Sequence, residues 1–384
     1  MESRLIVARA PVRVSFGGGG TDLEAYYGRF GGFVLSAAIS RYAYVVASES
    51  ADRGIHLTSG DYRTWESFPR GEIPAPGEAL GLLKAAVGWA AERGLDDGIE
   101  LFTASEIPPG TGLGSSSAMA VALITALSAY LGLDLDAGEI AHEASMLEIE
   151  RLAMPIGKQD QYASAFGGLN TIEFTRHGCE VTPLPLLPDV MAAFSSRLLL
   201  FSTGQSHNSA QILRQQRTDT TVRPAVTQSL HRIKELAHEM CAALENQDLD
   251  GFGVLLDRAW EQKKRLSGKV SSQRIDACYA AAREAGALGG KIAGAGGGGF
   301  LLLYAPPEKR EAVRAAMVRR GLEELCFDFD YRGAEVIARS VGARGRPAPD
   351  FPVRVLPPTV TARMGSLNRV IERPQSREEQ RDAI

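Results

Sequence analysis

The sequence predicts an α+β chain of two domains. Its 384 residues reach the size at which chains tend to split into domains. Strand-like and helix-like segments mix without regular βαβ alternation. Three glycine clusters, Gly17 to Gly20, Gly110 to Gly114 and Gly294 to Gly299, each border an apolar segment, which suggests one site assembled from distant pieces. Composition is that of a globular protein, 45% hydrophobic and 23% charged, so a disordered chain or a fibre is excluded. The net charge of -4, from 42 basic and 46 acidic residues, favours neither nucleic acid nor an anionic membrane as a partner. Cys179, Cys241, Cys278 and Cys326 are far apart in sequence and form no CxxC pair, so neither a disulfide framework nor a zinc ribbon is expected. Met1 to Pro11 is interrupted by Glu2, Arg4 and Arg9, which leaves no signal-peptide core, and the apolar run Ala118 to Leu127 is about half a membrane span. A cytoplasmic protein is the expectation.

The elements follow in order. Val12, Val14 and Phe16 alternate with Arg13 and Ser15 at strand period, predicting a strand over Leu5 to Phe16 that ends in the first glycine loop. β-branched and aromatic residues predict a second strand over Phe33 to Ser48. Ala and Leu at helical spacing predict a helix from Glu78 to Arg93, stopped by Gly94. A short strand over Gly98 to Ala104, the second glycine loop and an apolar helix over Ala118 to Tyr130 come next, then a helical stretch from Ala137 to Leu152 and a segment from Pro155 to Gly168. Pro183, Pro185 and Pro188 mark the boundary between a first domain, 1–190, and a second, 191–341. The second domain is predicted to hold strands over Arg197 to Ser202 and Gly299 to Tyr304, and helices over Pro224 to Leu244, Leu249 to Leu266, Ile275 to Ala285 and Pro307 to Arg320. Residues 342–384 are richer in Pro and Arg and read as a tail or wrapping segment.

The strongest chemical signal is Pro108-Pro-Gly-Thr-Gly-Leu-Gly-Ser-Ser-Ser-Ala. Glycines let backbone approach a ligand, and a serine-bordered helix N-terminus offers free N–H groups to a polyphosphate. No GK[ST] follows, so it is not a Walker A loop. The alternative is a buried apolar helix with Ser115 or Ser116 as its N-cap. Gly294-Ala-Gly-Gly-Gly-Gly satisfies GxGxxG, yet a strand follows where a dinucleotide fingerprint needs a helix; an ordinary loop and a backbone surface for substrate or phosphate both fit. Asp160, in Gly157-Lys-Gln-Asp-Gln, follows a helix carrying Glu148 and Glu150. One carboxylate can deprotonate a hydroxyl and another can hold Mg²⁺. Glu148 and Glu150 lie about 200° apart on a regular helix, so only one faces a site. The six histidines show no metal-binding spacing.

Three motifs resemble those of the GHMP kinases, in the family's order: Ala10-Pro-Val-Arg-Val-Ser-Phe-Gly-Gly-Gly-Gly-Thr-Asp, the Pro108 loop, and Lys291-Ile-Ala-Gly-Ala-Gly-Gly-Gly-Gly-Phe. Gly17-Gly-Gly-Gly-Thr-Asp with Gly157-Lys-Gln-Asp-Gln-Tyr and Thr203-Gly-Gln-Ser is most similar to the D-glycero-D-manno-heptose 7-phosphate kinases, which are similar to the fucose kinases. The resemblance implies an N-terminal domain like domain 2 of ribosomal protein S5, a ferredoxin-like C-terminal domain, and ATP with Mg²⁺ between them. It implies phosphate binding by Pro109, Gly110, Thr111, Gly112, Leu113, Gly114, Ser115, Ser116 and Ser117, with Ser116 and Glu148 on the metal. Asp160 would be the catalytic carboxylate, and Arg13 and Lys158 would neutralise charge on the transferring phosphoryl. Gly18, Gly19, Gly20, Thr21, Asp22, Gly296, Gly297 and Gly298 would meet the substrate, a small sugar or sugar phosphate.

Galactokinases carry Gly-Glu-His-Thr-Asp in the first motif, whereas Gly19 and Gly20 replace Glu and His here. The exchange implies room for a longer sugar and one negative charge fewer. Heptose kinases often place a basic residue after Thr-Gly-x-Ser; this chain has Ser206-His-Asn-Ser there, with Arg214 and Arg217 a few turns on. The expected reaction is phosphorylation of an anomeric hydroxyl. A kinase for an unphosphorylated sugar, or a sugar sensor without turnover, stays open.

Overall fold

A computed structural model describes residues 3–77, 79–204 and 209–342. Of the tail expected at 342–384, all but Gly342 lies outside the described residues, as does the segment Ser206-His-Asn. The first half runs β1 (Ser3–Gly17), α1 (Glu24–Phe30), β2 (Gly32–Glu49), β3 (Ile55–Ser59), β4 (Thr64–Phe68), α2 (Gly81–Ala91), β5 (Ile99–Ser105), α3 (Ser115–Leu131), α4 (Ala137–Met146), α5 (Gln159–Phe166), β6 (Leu169–Thr175) and β7 (Gly178–Pro183). Then come α6 (Pro188–Ser195), β8 (Leu198–Ser202), α7 (Ser209–Val222), α8 (Pro224–Glu245), α9 (Leu249–Lys264), α10 (Gln273–Glu284), β9 (Gly289–Ile292), β10 (Phe300–Tyr304), α11 (Arg310–Val318), β11 (Glu323–Glu324) and β12 (Glu335–Gly342).

Alternation along β1 sorts its two faces. Ile6, Ala8, Ala10, Val12, Val14 and Phe16 are buried in the core, while Arg13 and Ser15 turn the other way and reach the functional cleft. The larger sheet has the order β12-β1-β2-β5-β3-β4, with β6 on β2 and β7 on β6. Its fork is written in the register. Pro11 cannot donate a ladder hydrogen bond, and pairing shifts between Pro11–Tyr42 and Val12–Ile39. On one side of this irregularity β2 pairs with β6, on the other with β5. Helix α3, buried along almost its whole length, packs against β1 and β2. The smaller sheet is antiparallel, β11-β8-β10-β9.

The predicted strands and helices are present with ends shifted by a few residues, but several elements carried no clear periodicity. Among these are the hairpin β3–β4, the short helix α1, and α7. Two observations bear on the domain limits. Helix α6, with Pro188 at its first turn, spans the boundary expected at 190 and 191. Strand β12, in the expected second domain, returns to pair antiparallel with β1.

The two halves share apolar contacts where Phe16 of β1, Phe194 of α6 and Phe252 of α9 meet edge to face, with ring centroids 4.9–5.8 Å apart. Tyr304 of β10 and Phe329 complete the cluster around Phe194, which is fully buried. Phe194→Ala should therefore cost about 3–5 kcal/mol of unfolding free energy. Urea denaturation measures it, and a loss below about 1 kcal/mol would show that the halves do not depend on this contact.

Candidate active site

The first glycine loop is tied down by one hydroxyl. Thr21 is wholly buried; its Oγ1 donates to the Gly18 carbonyl at 2.7 Å and accepts from the Phe33 N–H at 3.0 Å. Thr21 thus shapes the loop and does not line the cleft, and neither does Gly18; Gly19, Gly20 and Asp22 do. Asp22 accepts from the Gly20 N–H at 2.8 Å, and its other oxygen lies 3.4 Å from the Gln159 N–H. Burial, and then the nearby Asp160 carboxylate, push its pKa up from the ordinary carboxylate range. Gly157 passes so close that a Cβ there would lie 1.9 Å from Asp22 Oδ2.

Arg13 reaches the cleft floor with its side chain 4% exposed. Its Nε donates to Asp160 Oδ1 at 2.7 Å, its Nη2 forms an ion pair with the same oxygen at 2.6 Å, and its Nη1 donates to the Gly112 carbonyl at 2.7 Å. Asp160 Oδ2 is not engaged by Arg13 and faces Gly114 at the start of α3. The pair joins the first strand, the second glycine loop and α5 at one point.

Helix α3 begins without a side-chain cap. Its N-cap residue is Gly114, in the left-handed region at φ 75°, and not Ser115 or Ser116. The serines are used otherwise: Ser115 Oγ donates to the Pro108 carbonyl at 3.3 Å, Ser116 Oγ donates to Glu148 Oε1 at 2.7 Å, and Ser117 Oγ accepts from Gln161 Nε2 at 3.1 Å. The helix is apolar and buried, as the alternative reading required, yet its first turn opens on the cleft with N–H groups that no side chain caps. Pro109, Gly110, Gly112, Gly114 and Ser115 to Ser117 line that cleft. Thr111 and Leu113 do not: the Thr111 hydroxyl donates back to Pro108, and Leu113 is in the core.

Glu148 and Glu150 separate as helical geometry demands. A π-helical turn over Leu147–Arg151 directs Glu148 inward, fully buried, and leaves Glu150 exposed. Besides Ser116, Glu148 accepts from Gln161 Nε2 at 2.5 Å. Burial raises its pKa to about 7 against these favourable hydrogen bonds.

Two cationic residues complete the cleft. Lys291 of β9 donates to the Ser15 and Phe16 carbonyls at 2.7 and 3.3 Å, and burial with the neighbouring Arg13 lowers its pKa to about 7. Lys263, at the end of α9, donates to the Ile292 carbonyl at 3.1 Å and to the Gly294 carbonyl; burial first, then Lys291 and Arg13, bring its pKa well down. Lys291 stood inside the third motif, where only its motif membership could single it out. Lys263 belongs to a Lys-Lys-Arg helix end, a pattern that ordinarily marks a solvated face.

Two groups expected at the site stand off the cleft wall. Lys158 does not line the cleft: it precedes α5 and its ammonium lies 5.6 Å from the Tyr27 ring centroid, in a side recess, where the aromatic face attracts it. Gly296, Gly297 and Gly298 are also off the cleft wall, because the Gly297 N–H donates to the Val270 carbonyl at 2.7 Å and holds the loop back; Gly294 and Ala295 line it instead.

The cleft, about 320 Å³, opens at Tyr62, Pro109, Ser115, Ser116 and Met154 into a second cavity of about 500 Å³. Leu80, Leu83, Ile107, Met119 and Leu152 give the latter apolar walls. A cleft floored by Arg13, Lys263 and Lys291 and edged by a glycine loop, joined to a cavity with apolar walls, suits an anionic ligand that also carries an apolar part.

The family profiles described as GHMP kinases N terminal domain and GHMP kinases C terminal match residues 78–168 and 240–323. The chain is 30% identical over 335 residues to the D-glycero-alpha-D-manno-heptose 7-phosphate kinase of Campylobacter jejuni, covering 86% of this chain and 98% of that protein. It is 29% identical to the L-fucokinase/L-fucose-1-P guanylyltransferase of Bacteroides fragilis, covering 84% of this chain and 36% of that longer protein. The crystal structure of a D-glycero-D-manno-heptose 1-phosphate kinase from Bacteroides thetaiotaomicron superposes with a TM-score of 0.71 at 28% identity, over 87% of this chain and 98% of that one. The chain belongs to the GHMP kinase family, and is a two-domain kinase of the sugar-kinase type.

Glu148 makes the ligand-free protein pH-sensitive. Its folded pKa of about 7 lies above the ordinary 4.5, so the folded state keeps a proton that the unfolded chain has lost, and stability falls as pH rises from about 4.5 to 7. Lys291 acts oppositely, but only above pH about 7. Glu148→Gln should remove up to about 2 kcal/mol of this loss between pH 5 and 7. Gln161 can turn its unpartnered Oε1 toward the new amide. Urea denaturation of both proteins across that range measures it, and parallel pH profiles would refute the assignment.

Proposed function

We propose that this protein transfers the γ-phosphoryl group of ATP to the anomeric hydroxyl of D-glycero-D-manno-heptose 7-phosphate, giving the 1,7-bisphosphate. The observation that carries the chemistry is Asp160, held through one oxygen by the buried Arg13 and set beside the uncapped start of α3. The sugar ring is placed between Asp22 and Asp160. Asp160 Oδ2 accepts the proton of the attacking hydroxyl, while the ion pair with Arg13 keeps the carboxylate oriented. Arg13 and Lys291 face the charge that spreads over the phosphoryl oxygens during transfer, so catalysis is chiefly positioning and electrostatics. The nucleoside occupies the apolar cavity and its phosphates rest on the loop 109–117. We place the reaction in the cytoplasm, where ATP is at hand.

Mg²⁺ suits the donors present. Among the described residues no cluster of three or more His, Cys, Asp or Glu side chains forms a metal cage. Mg²⁺ needs none, since one or two carboxylates with phosphate oxygens and water suffice. The Ser116 hydroxyl and the Glu148 carboxylate, 2.7 Å apart, are hard oxygen donors at the phosphate end of the cleft. They would hold the ion, which when bound supplies charge neutralisation of the β- and γ-phosphates.

Support for the heptose comes from the relative in Campylobacter jejuni, similar over nearly its whole length, and from Gly19 and Gly20, which leave no acidic side chain at that turn. A coupled assay should give a kcat/KM for heptose 7-phosphate at least tenfold above those for heptose 1-phosphate, mannose, fucose and galactose, about 1.4 kcal/mol of transition-state preference. Equal turnover of fucose would remove the heptose and keep the kinase. Asp160→Asn should leave the fold and ATP binding in place and lower kcat by roughly 10² or more. Near-normal turnover would exclude Asp160 as the proton acceptor.

A further inference from the structure

Two cavities meet at Asp22. One is the catalytic cleft. The other is a recess of about 100 Å³ that shares Asp22, Leu23, Met154 and Ile156 with the cleft and is otherwise marked by Lys158 and Arg217. Helix α7 addresses both through consecutive residues, since Gln216 lines the cleft and Arg217 the recess.

Gln216 is 5% exposed, and its Nε2 has no hydrogen-bond partner among the described residues. It stands against the first glycine loop, 2.4 Å from where a Cβ on Gly20 would be. Ser15 Oγ and Gln159 Oε1, also without partners, line the same cleft. A buried amide donor left unpaired is unfavourable unless a ligand oxygen meets it, so this wall is suited to a molecule rich in hydroxyls.

The recess differs in character: Lys158 and Arg217 line it together with the carboxylates of Asp22, Glu24 and Glu150. Neither Lys158 nor Arg217 forms an ion pair with a carboxylate of the described residues, and Lys158 lies against Tyr27, its ammonium 5.6 Å from the ring centroid. Glu24, Glu150 and Arg217 are exposed, so solvent screens the acids from both cations, and Lys158 is half-buried. The Asp22 oxygens are turned to the Gly20 and Gln159 backbone N–H groups. Arginine and lysine together are the usual receptors of a phosphate, the first through its fork and the second as a point charge.

We propose that Lys158 and Arg217 bind a phosphate at the far end of the substrate's exocyclic chain, and that Gln216 donates to a hydroxyl of that chain between ring and phosphate. A ring held at Asp22 extends its chain over Leu23, the wall common to both cavities. This assignment rests on the reading of the substrate as a phosphorylated sugar. It also gives Lys158 a task outside the transfer step.

The test compares kcat and KM for D-glycero-D-manno-heptose 7-phosphate and for the same heptose without its phosphate. In the full-length protein, Arg217→Met with Lys158→Met should lower the ratio of the two kcat/KM values at least tenfold, chiefly through the KM of the phosphorylated sugar. Arg217→Lys should retain more of the ratio than Arg217→Met. Gln216→Leu should raise KM for both sugars. A wild-type ratio near one would overturn the phosphorylated substrate and with it the recess. A high wild-type ratio that survives the double substitution would overturn the recess alone, as would equal losses on the two sugars.

Discussion

Arg13 carries a guanidinium into a place where almost no water reaches it, and its two partners determine where the neighbouring pieces of the chain must go. Such a charge is tolerable only when paired and hydrogen-bonded on most sides. Asp160 supplies the countercharge and the Gly112 carbonyl a further acceptor, so α5 and the second glycine loop are held at the end of β1. Lys291 extends the principle across the molecule, from β9 of the smaller sheet to the Ser15 and Phe16 carbonyls of the larger one. The catalytic geometry and the junction of the two sheets therefore rest on the same few residues.

The cleft so formed is electrostatically unfinished. Burial disfavours the charged forms of Asp22 and Glu148 on one side and of Lys263 and Lys291 on the other, so each group's pKa is shifted toward neutrality. A polyphosphate would complete the cationic side and a divalent ion the Glu148 side, which restores ionisation without exposing either to water. Perturbed acids and bases that converge on one cleft are the expected mark of a site built to handle charge.

The glycine loops were legible because loop chemistry is local: a run of glycines before an apolar helix reports its purpose within a dozen residues. Strand alternation in the first motif likewise placed Arg13 and Ser15 on the face opposite Val12 and Phe16. Helical spacing alone separated Glu148 and Glu150 only in principle, since a regular helix allows one inward acid without saying which, and it was the family resemblance that implied Glu148. The π-helical turn chose Glu148. Lys158 stands in the side recess because adjacency to Asp160 in sequence does not fix which side of a helix N-terminus a flexible chain takes, and here the chain lies against Tyr27. Lys263 and Gln216 had no local signature at all, being a charged residue and an amide on ordinary amphipathic helices.

What the sequence by itself determined is thus the family's motifs, the alternation of strands and helices, and the chemical types available at the site. These depend on spacing along the chain, and spacing is all that periodicity and turn chemistry need. Only the tertiary structure decided the pairing of β12 with β1, the burial of Lys263 and Lys291, and the meeting of α7 with the first glycine loop. Each of these joins residues roughly 30 to 330 positions apart, and which distant surfaces come together is set by how complementary faces pack, a property of the folded whole that no local window of sequence contains.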